Sequence, residues 1–237
     1  MPALLHASLK KKNKKDEYKA QAEITEAQWS YGRVRKSERV LCVVAGPNGS
    51  GKTSTTVRLL SNEWASDCIY INPDDIAQND FGDWNSEDAV LKAARKATEM
   101  RNDCLERKVD FVFETVFSSV EKLTFLQKAK ETGFFIRLFF VCTDDPAINI
   151  QRIYQRYING GHEVPMSKVT NRYYKSLINM SKAIRFVDRS YIYDNSVDNR
   201  DPQLLFRTES GVMKKRYTDE FPEWTKPLIE SLIIDEG

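Results

Sequence analysis

Gly46-Pro47-Asn48-Gly49-Ser50-Gly51-Lys52-Thr53 satisfies the pattern G-x-x-x-x-G-K-[ST] without a mismatch. It follows Val40-Leu41-Cys42-Val43-Val44-Ala45, an apolar run that predicts a buried strand, and it opens residues 53–60, which predict a helix. Strand, glycine-rich loop and helix together predict an α/β fold and a phosphate cradle. Glycines let the backbone fold tightly, so that successive N–H groups and the helix N-terminus point at phosphate oxygens. Lys52 adds a point charge and Thr53 a hydroxyl ligand for Mg²⁺. The expected nucleotide contacts are Gly46, Pro47, Asn48, Gly49, Ser50, Gly51, Lys52, Thr53 and Ser54.

A chain of 237 residues has room for one sizeable α/β domain and a short appendage. Its 36 basic and 34 acidic residues give a formal charge of +2, too small to suggest nucleic acid as the general partner. Any basic site must be local. Cys42, Cys68, Cys104 and Cys142 are widely spaced in or beside apolar runs, with no C-x-x-C pair, and read as reduced, buried thiols. The N-terminus lacks a secretory layout, because Ala3-Leu4-Leu5 is short and the lysines follow it. The run 134–142 is interrupted by Arg137 and is far shorter than a membrane span. A cytoplasmic protein with no membrane segment is expected.

Residues 1–37 carry Lys10-Lys11-Lys12-Asn13-Lys14-Lys15 and then a polar, helix-prone piece, and form an N-terminal arm to a domain spanning 38–237. Cys68-Ile69-Tyr70-Ile71-Asn72 predicts a second strand, with Asp74 and Asp75 just past its carboxyl end. Ligands bind at that edge of open α/β sheets, so Asp74 is a candidate for the cleft and Asp75 for a capping or secondary role. Asn85 or Ser86 starts a helix to about residue 107, with Val90, Ala93, Ala94, Ala97, Met100, Cys104 and Leu105 as its buried stripe. Asp110-Phe111-Val112-Phe113-Glu114-Thr115 is a third strand ending in a carboxylate, and a helix spans about 119–131.

A fourth strand covers 134–143. Asp144 or Asp145 then caps a helix with Pro146 in its first turn, whose stripe is Ile150, Ile153, Tyr154, Tyr157 and Ile158. Arg152 and Arg156 lie one turn apart off that stripe. Past Gly160-Gly161 and His162, a long helix turns Val169, Tyr173, Leu177, Met180 and Ile184 inward and carries Arg172 near its start. Two helices with a Gly-Gly hinge and several cations describe a lid over phosphates. A fifth strand at 191–196, a hairpin at about 204–217 and a closing helix at about 222–234 complete a P-loop kinase-like three-layer sandwich on a mostly parallel five-stranded sheet. A phosphate loop after strand one, acids after strands two and three, and a cationic lid after strand four predict phosphoryl transfer.

The runs G-P-N-G-S-G-K-T, N-P-D-D-I-A, F-E-T, G-G-H-x-V-P and Y-D-N-S resemble the zeta-toxin family of P-loop kinases over about residues 38–196. The resemblance implies that Lys52 and Thr53 bind ATP and Mg²⁺, that Asp74 is the catalytic base, that Glu114 and Thr115 face the acceptor, and that Arg152 is a lid cation. A second lid arginine of those toxins precedes a proline by three residues. His162 holds that spacing before Pro165, so either His162 when protonated, or Arg156 and Arg172, takes the role. The resemblance further implies a small-molecule acceptor, with a UDP-sugar such as UDP-N-acetylglucosamine as the best-known case. It also implies toxicity through cell-wall synthesis and restraint by an antitoxin or, in cis, by residues 1–37. An ATP-hydrolysing motor or a nucleic-acid 5′-hydroxyl kinase is the competing expectation, but the L-S-G-G-Q and N-K-x-D signatures of transport ATPases and GTPases are absent.

Overall fold

The computed structural model describes residues 39–60, 68–82, 86–160 and 164–233. The expected N-terminal arm, the Gly161-His162 part of the hinge and the end of the closing helix lie outside these residues.

The first apolar run is β1 (Arg39–Ala45), and burial of Leu41 to Ala45 on both faces places it at the centre of the sheet. It pairs in parallel with β3 (Phe111–Thr115) on one side and β4 (Phe134–Cys142) on the other. The described strands form one sheet in the order β2-β3-β1-β4-β5-β6-β7, with β2 spanning Ile69–Ile71 and β5 Arg189–Asp194. The parallel strands are β1 to β5, as expected. The hairpin, β6 (Gln203–Glu209) and β7 (Val212–Arg216), is not a separate appendage: β6 pairs antiparallel with β5, so the sheet has seven strands rather than five. Pairing there satisfies backbone groups that β5 would otherwise expose along an open edge.

The helices are α1 (Lys52–Leu60), α2 (Pro73–Phe81), α3 (Glu87–Arg107), α4 (Val120–Glu131), α5 (Pro146–Ile158), α6 (Met166–Ala183) and the short α7 (Lys226–Glu230). Ser86 caps α3 by accepting from the Ala89 N–H, and Asp145 caps α5 by accepting from the Ala147 N–H. The core gathers Leu41, Val43, Phe111, Phe113, Phe125 and Phe140, with Phe125 edge-on to Phe113 at 5.6 Å.

Two expected apolar stripes and the expected closing helix are corrected. In α3, Ala93, Ala97, Cys104 and Leu105 are buried but Val90 and Ala94 are exposed. Their face lines a cleft instead of the sheet. Of the stripe expected in α5, only Ile153 and, in part, Ile150 are covered, because they pack on Val164 and Val169 in a small cluster apart from the main core. Tyr154, Tyr157 and Ile158 are exposed. The closing helix is a 3-10 turn (Glu223–Thr225) and one short helix, arranged around the buried Trp224, whose indole donates to Asp194 at 2.9 Å. Of the thiols, Cys42, Cys104 and Cys142 are buried and Cys68 is half-buried. Burial pushes the Cys142 thiol up to about 12.

Candidate active site

The phosphate loop leaves the carboxyl end of the central strand, where the chain's crossovers diverge: β1 leads to β2 beyond β3, whereas β3 leads across β1 to β4. Gly49 sits at φ +77°, and a Cβ there would stand 2.7 Å from the Asn149 carbonyl oxygen. Only glycine fits that approach. Two amides clasp the loop from outside. Asn149 donates to the Asn48 carbonyl at 2.6 Å and Asn195 to the Ser50 carbonyl at 2.8 Å, while Thr143 donates to the Asn149 side-chain oxygen and fixes its orientation. Lys52 Nζ donates to the Pro47 carbonyl at 2.8 Å, holding the ammonium over the loop. Ser50 Oγ is buried with no partner among the described residues.

Across from this loop, β3 ends in buried Glu114. One carboxylate oxygen accepts from the Tyr70 hydroxyl at 2.6 Å and the other from Thr53 Oγ1 at 3.2 Å. Asn72 donates to the Tyr70 oxygen at 3.1 Å and, as N-cap of α2, accepts from the Asp74 N–H at 3.0 Å. The capping role thus belongs to Asn72, not to Asp75, and Asp74 stands in the first turn with its carboxylate exposed to the cleft. Burial lowers the Lys52 pKa, opposed by the charges of Glu114 and Asp74 and reinforced by Arg156. Those four charges therefore share one electrostatic neighbourhood. Burial, then the Glu114 charge, raises the Asp75 carboxyl above its usual value, against a lowering hydrogen bond from Asn72.

The cleft measures about 570 Å³ and is lined by Asn48, Lys52, Thr53, Asp74, Glu114 and Thr115, among others. Arg152, Arg156 and Arg172 line it too. Arg152 is anchored by Asp198 at 2.6 Å and the Asn195 carbonyl at 2.8 Å, and Arg172 reaches Asn48 Oδ1 at 3.4 Å. Arg156 is exposed. His162 lies outside the described residues.

The Zeta toxin family model matches residues 24–210. The chain belongs to the zeta toxin family. An uncharacterised protein of Haemophilus influenzae is 30% identical over 128 residues, which are 54% of this chain and 88% of that one. A solved structure of the PezAT chromosomal toxin–antitoxin system of Streptococcus pneumoniae aligns with a TM-score of 0.54 at 17% identity, over 91% of this chain and 93% of the other. A structure of AvrRxo1-ORF1 with AvrRxo1-ORF2 and ATP aligns with a TM-score of 0.57 at 15% identity, covering 83% of this chain. This zeta toxin family chain spans less than two thirds of that protein, 64% of its length. These two likenesses show a shared P-loop kinase-like fold.

Of the residues singled out in the sequence, Asn48, Gly49, Gly51, Lys52, Thr53, Ser54, Asp74, Glu114, Arg152, Arg156 and Arg172 line one cleft. Sequence reasoning gave no role to the residues that hold these in place, namely Asn149, Asn195, Tyr70 and Asn72, although Asn72 and Asn195 stand in the runs N-P-D-D-I-A and Y-D-N-S. Tyr70 within β2 and Asn72 just after it, two polar groups in and beside an apolar strand, offered a further signal. Tyr70→Phe removes the shortest hydrogen bond to a buried carboxylate, so it is expected to cost the zeta toxin fold about 1.5–3 kcal/mol in urea unfolding.

Proposed function

We propose that this chain is a toxin of the zeta type that transfers the γ-phosphate of ATP to a hydroxyl group of a small metabolite. What supports this most is the meeting of Asp74 and Lys52 in one cleft, a carboxylate exposed beside an ammonium held over a phosphate loop. The loop fits the donor: its glycines leave a hollow that a Cβ would fill, and Ser50 Oγ is a buried polar atom with no other partner among the described residues. Thr53 and Glu114 present hard oxygen atoms 3.2 Å apart, a donor set suited to Mg²⁺. Bound there, the ion would neutralise phosphate charge.

Asp74 accepts the proton of the acceptor hydroxyl as that oxygen attacks phosphorus. Lys52 stabilises the charge on the phosphates, and Arg156 and Arg172 add positive charge where it develops on the transferring group. Arg152 is held by Asp198 and Asn195, so it serves as a lid cation that also braces the amide clasping the loop. The second lid position falls either to His162 when protonated, on the resemblance alone, or to Arg156 and Arg172. The acceptor is a UDP-sugar such as UDP-N-acetylglucosamine, as the family resemblance implies. Restraint comes from an antitoxin or from residues 1–37, within a domain plan of arm and kinase domain (38–237) and a cytoplasmic setting. No helix among the described residues is long and apolar enough to cross a membrane.

The test is incubation of the full chain with γ-labelled ATP and a panel of UDP-sugars, NAD, nucleosides, aminoglycosides and 5′-hydroxyl oligonucleotides, read by mass. A monophosphorylated UDP-sugar is the expected product. Release of inorganic phosphate with no labelled acceptor would replace the kinase reading with ATP hydrolysis, and a labelled oligonucleotide would replace the metabolite.

A further inference from the structure

One face of α6 carries three polar side chains in register. Arg172, Ser176 and Asn179 recur at helical spacing, with Arg172 half-buried and the other two buried. Arg172 serves the phosphate loop, where its guanidinium reaches Asn48 Oδ1 at 3.4 Å. Ser176 and Asn179 serve a different segment, the loop that leaves β3. The Ser176 hydroxyl lies 2.5 Å from the Val116 carbonyl and 2.6 Å from the Arg172 carbonyl one turn back, with one proton to give to the two. The Asn179 amide donates to the Phe117 carbonyl at 2.8 Å and to the Ser119 carbonyl at 3.2 Å.

That loop needs holding. Phe117 stands at φ +61°, in the left-handed region that a bulky residue rarely adopts, while its ring is buried in the main core. Its N–H donates to Thr115 Oγ1 at 3.1 Å and its carbonyl is met by Asn179, so the strained residue is fixed from both sides. Residues 115–119 line the cleft beside Glu114. Between the two ends of the helix face, the Tyr173 hydroxyl donates to the Thr143 carbonyl at 2.6 Å and ties α6 to the end of β4.

A single helix thus touches the donor loop with one turn and the loop after β3 with the next two. The seven-residue step from Arg172 to Asn179 spans about 10 Å, short enough to act as one piece. Asn48 offers Arg172 a long and uncharged hydrogen bond, whereas donor phosphates offer it a charged partner. That added attraction favours the seated position of α6, the one in which Ser176 and Asn179 meet their carbonyls. We propose that Ser176 and Asn179 are positioning residues that tie the loop after β3 to the helix bearing Arg172, so that occupancy of the donor site steadies residues 116–119 before the acceptor arrives. This link rests on the kinase reading for the identity of the donor. By reciprocity, the loop's hold on α6 supports donor binding in turn.

The experiment follows amide hydrogen exchange in the full chain, without and with a saturating non-hydrolysable ATP analogue and Mg²⁺. Exchange of residues 115–122 is expected to slow about tenfold when the analogue binds the parent. Arg172→Gln cuts the link at one end, and Asn179→Asp, which keeps the shape but removes the donating amide, cuts it at the other. Each is expected to reduce that slowing to about twofold or less while residues 46–53 are still protected by the analogue. Amides of residues 40–44 should exchange at the parent rate in both variants, a result that a merely loosened fold would not give. Ser176→Ala should show intermediate slowing, and it carries the test with Arg172→Gln if Asn179→Asp does not fold. Protection of 46–53 in the parent with no change at 115–122, or equal slowing in the parent and the variants, overturns the link. Protection of neither segment in the parent removes the kinase reading, and the link with it.

Discussion

Asp74→Asn is expected to bind ATP as tightly as the parent and to transfer its phosphate about 10²–10⁴ times more slowly, the contribution of a positioned general base. The substitution keeps the shape of the side chain and removes only its ability to take a proton. Its structural cost should be small, because the one hydrogen bond that places Asp74 is made by its backbone N–H to Asn72, which any residue provides. The variant's stability is therefore expected within about 0.5 kcal/mol of the parent. The decisive comparison is the single-turnover transfer rate beside the ATP dissociation constant and the urea midpoint. Transfer at the parent rate would remove Asp74 from the role of base, whereas loss of ATP binding would mean that the carboxylate supports the donor site instead.

Lys52→Ala is expected to act on both steps, which separates it from Asp74. The Lys52 ammonium is tied to the Pro47 carbonyl and neighbours Glu114 and Asp74, so its removal loosens the loop and leaves two carboxylates facing the donor phosphates without their compensating charge. Loss of one charge-stabilising donor from a preorganised site typically costs about 10²–10³ in turnover, and a fall of that size is expected here. ATP affinity should fall with it, by tenfold or more. Equilibrium binding of a fluorescent ATP analogue and the transfer rate measure the two effects, and unchanged ATP affinity would contradict the position given to Lys52. Because burial lowers the Lys52 pKa, the positive charge in the free site is lost at lower pH than for an exposed lysine, so ATP affinity is expected to decline earlier on the alkaline side. Donor phosphates favour the charged form and oppose that decline.

The parts of the fold legible in the sequence were those carried by local patterns. Continuous apolar runs marked β1, β3 and β4 because both their faces are covered, and the phosphate loop was readable because its geometry needs glycine at fixed places. The stripes of α3 and α5 were read less well. Periodicity shows which residues share a helix face but not what that face meets. Val90 and Ala94 meet a cleft, and Tyr154 and Tyr157 lie beyond the small cluster that covers Ile153.

By itself the sequence determined the α/β class, the phosphate loop and the two acids at strand ends, since each depends on residues close together in the chain. The tertiary structure alone decided how they meet in one cleft. Glu114 is held by Tyr70 and Thr53, the loop is clasped by Asn149 and Asn195, and Arg101 is buried between two phenylalanine rings. These partners are 44, 61, 101 and 145 residues apart for the Glu114–Tyr70, Glu114–Thr53, Asn149–Asn48 and Asn195–Ser50 bonds. Nothing local in the chain records such meetings. They follow from the order in which a parallel sheet brings its carboxyl ends to one edge.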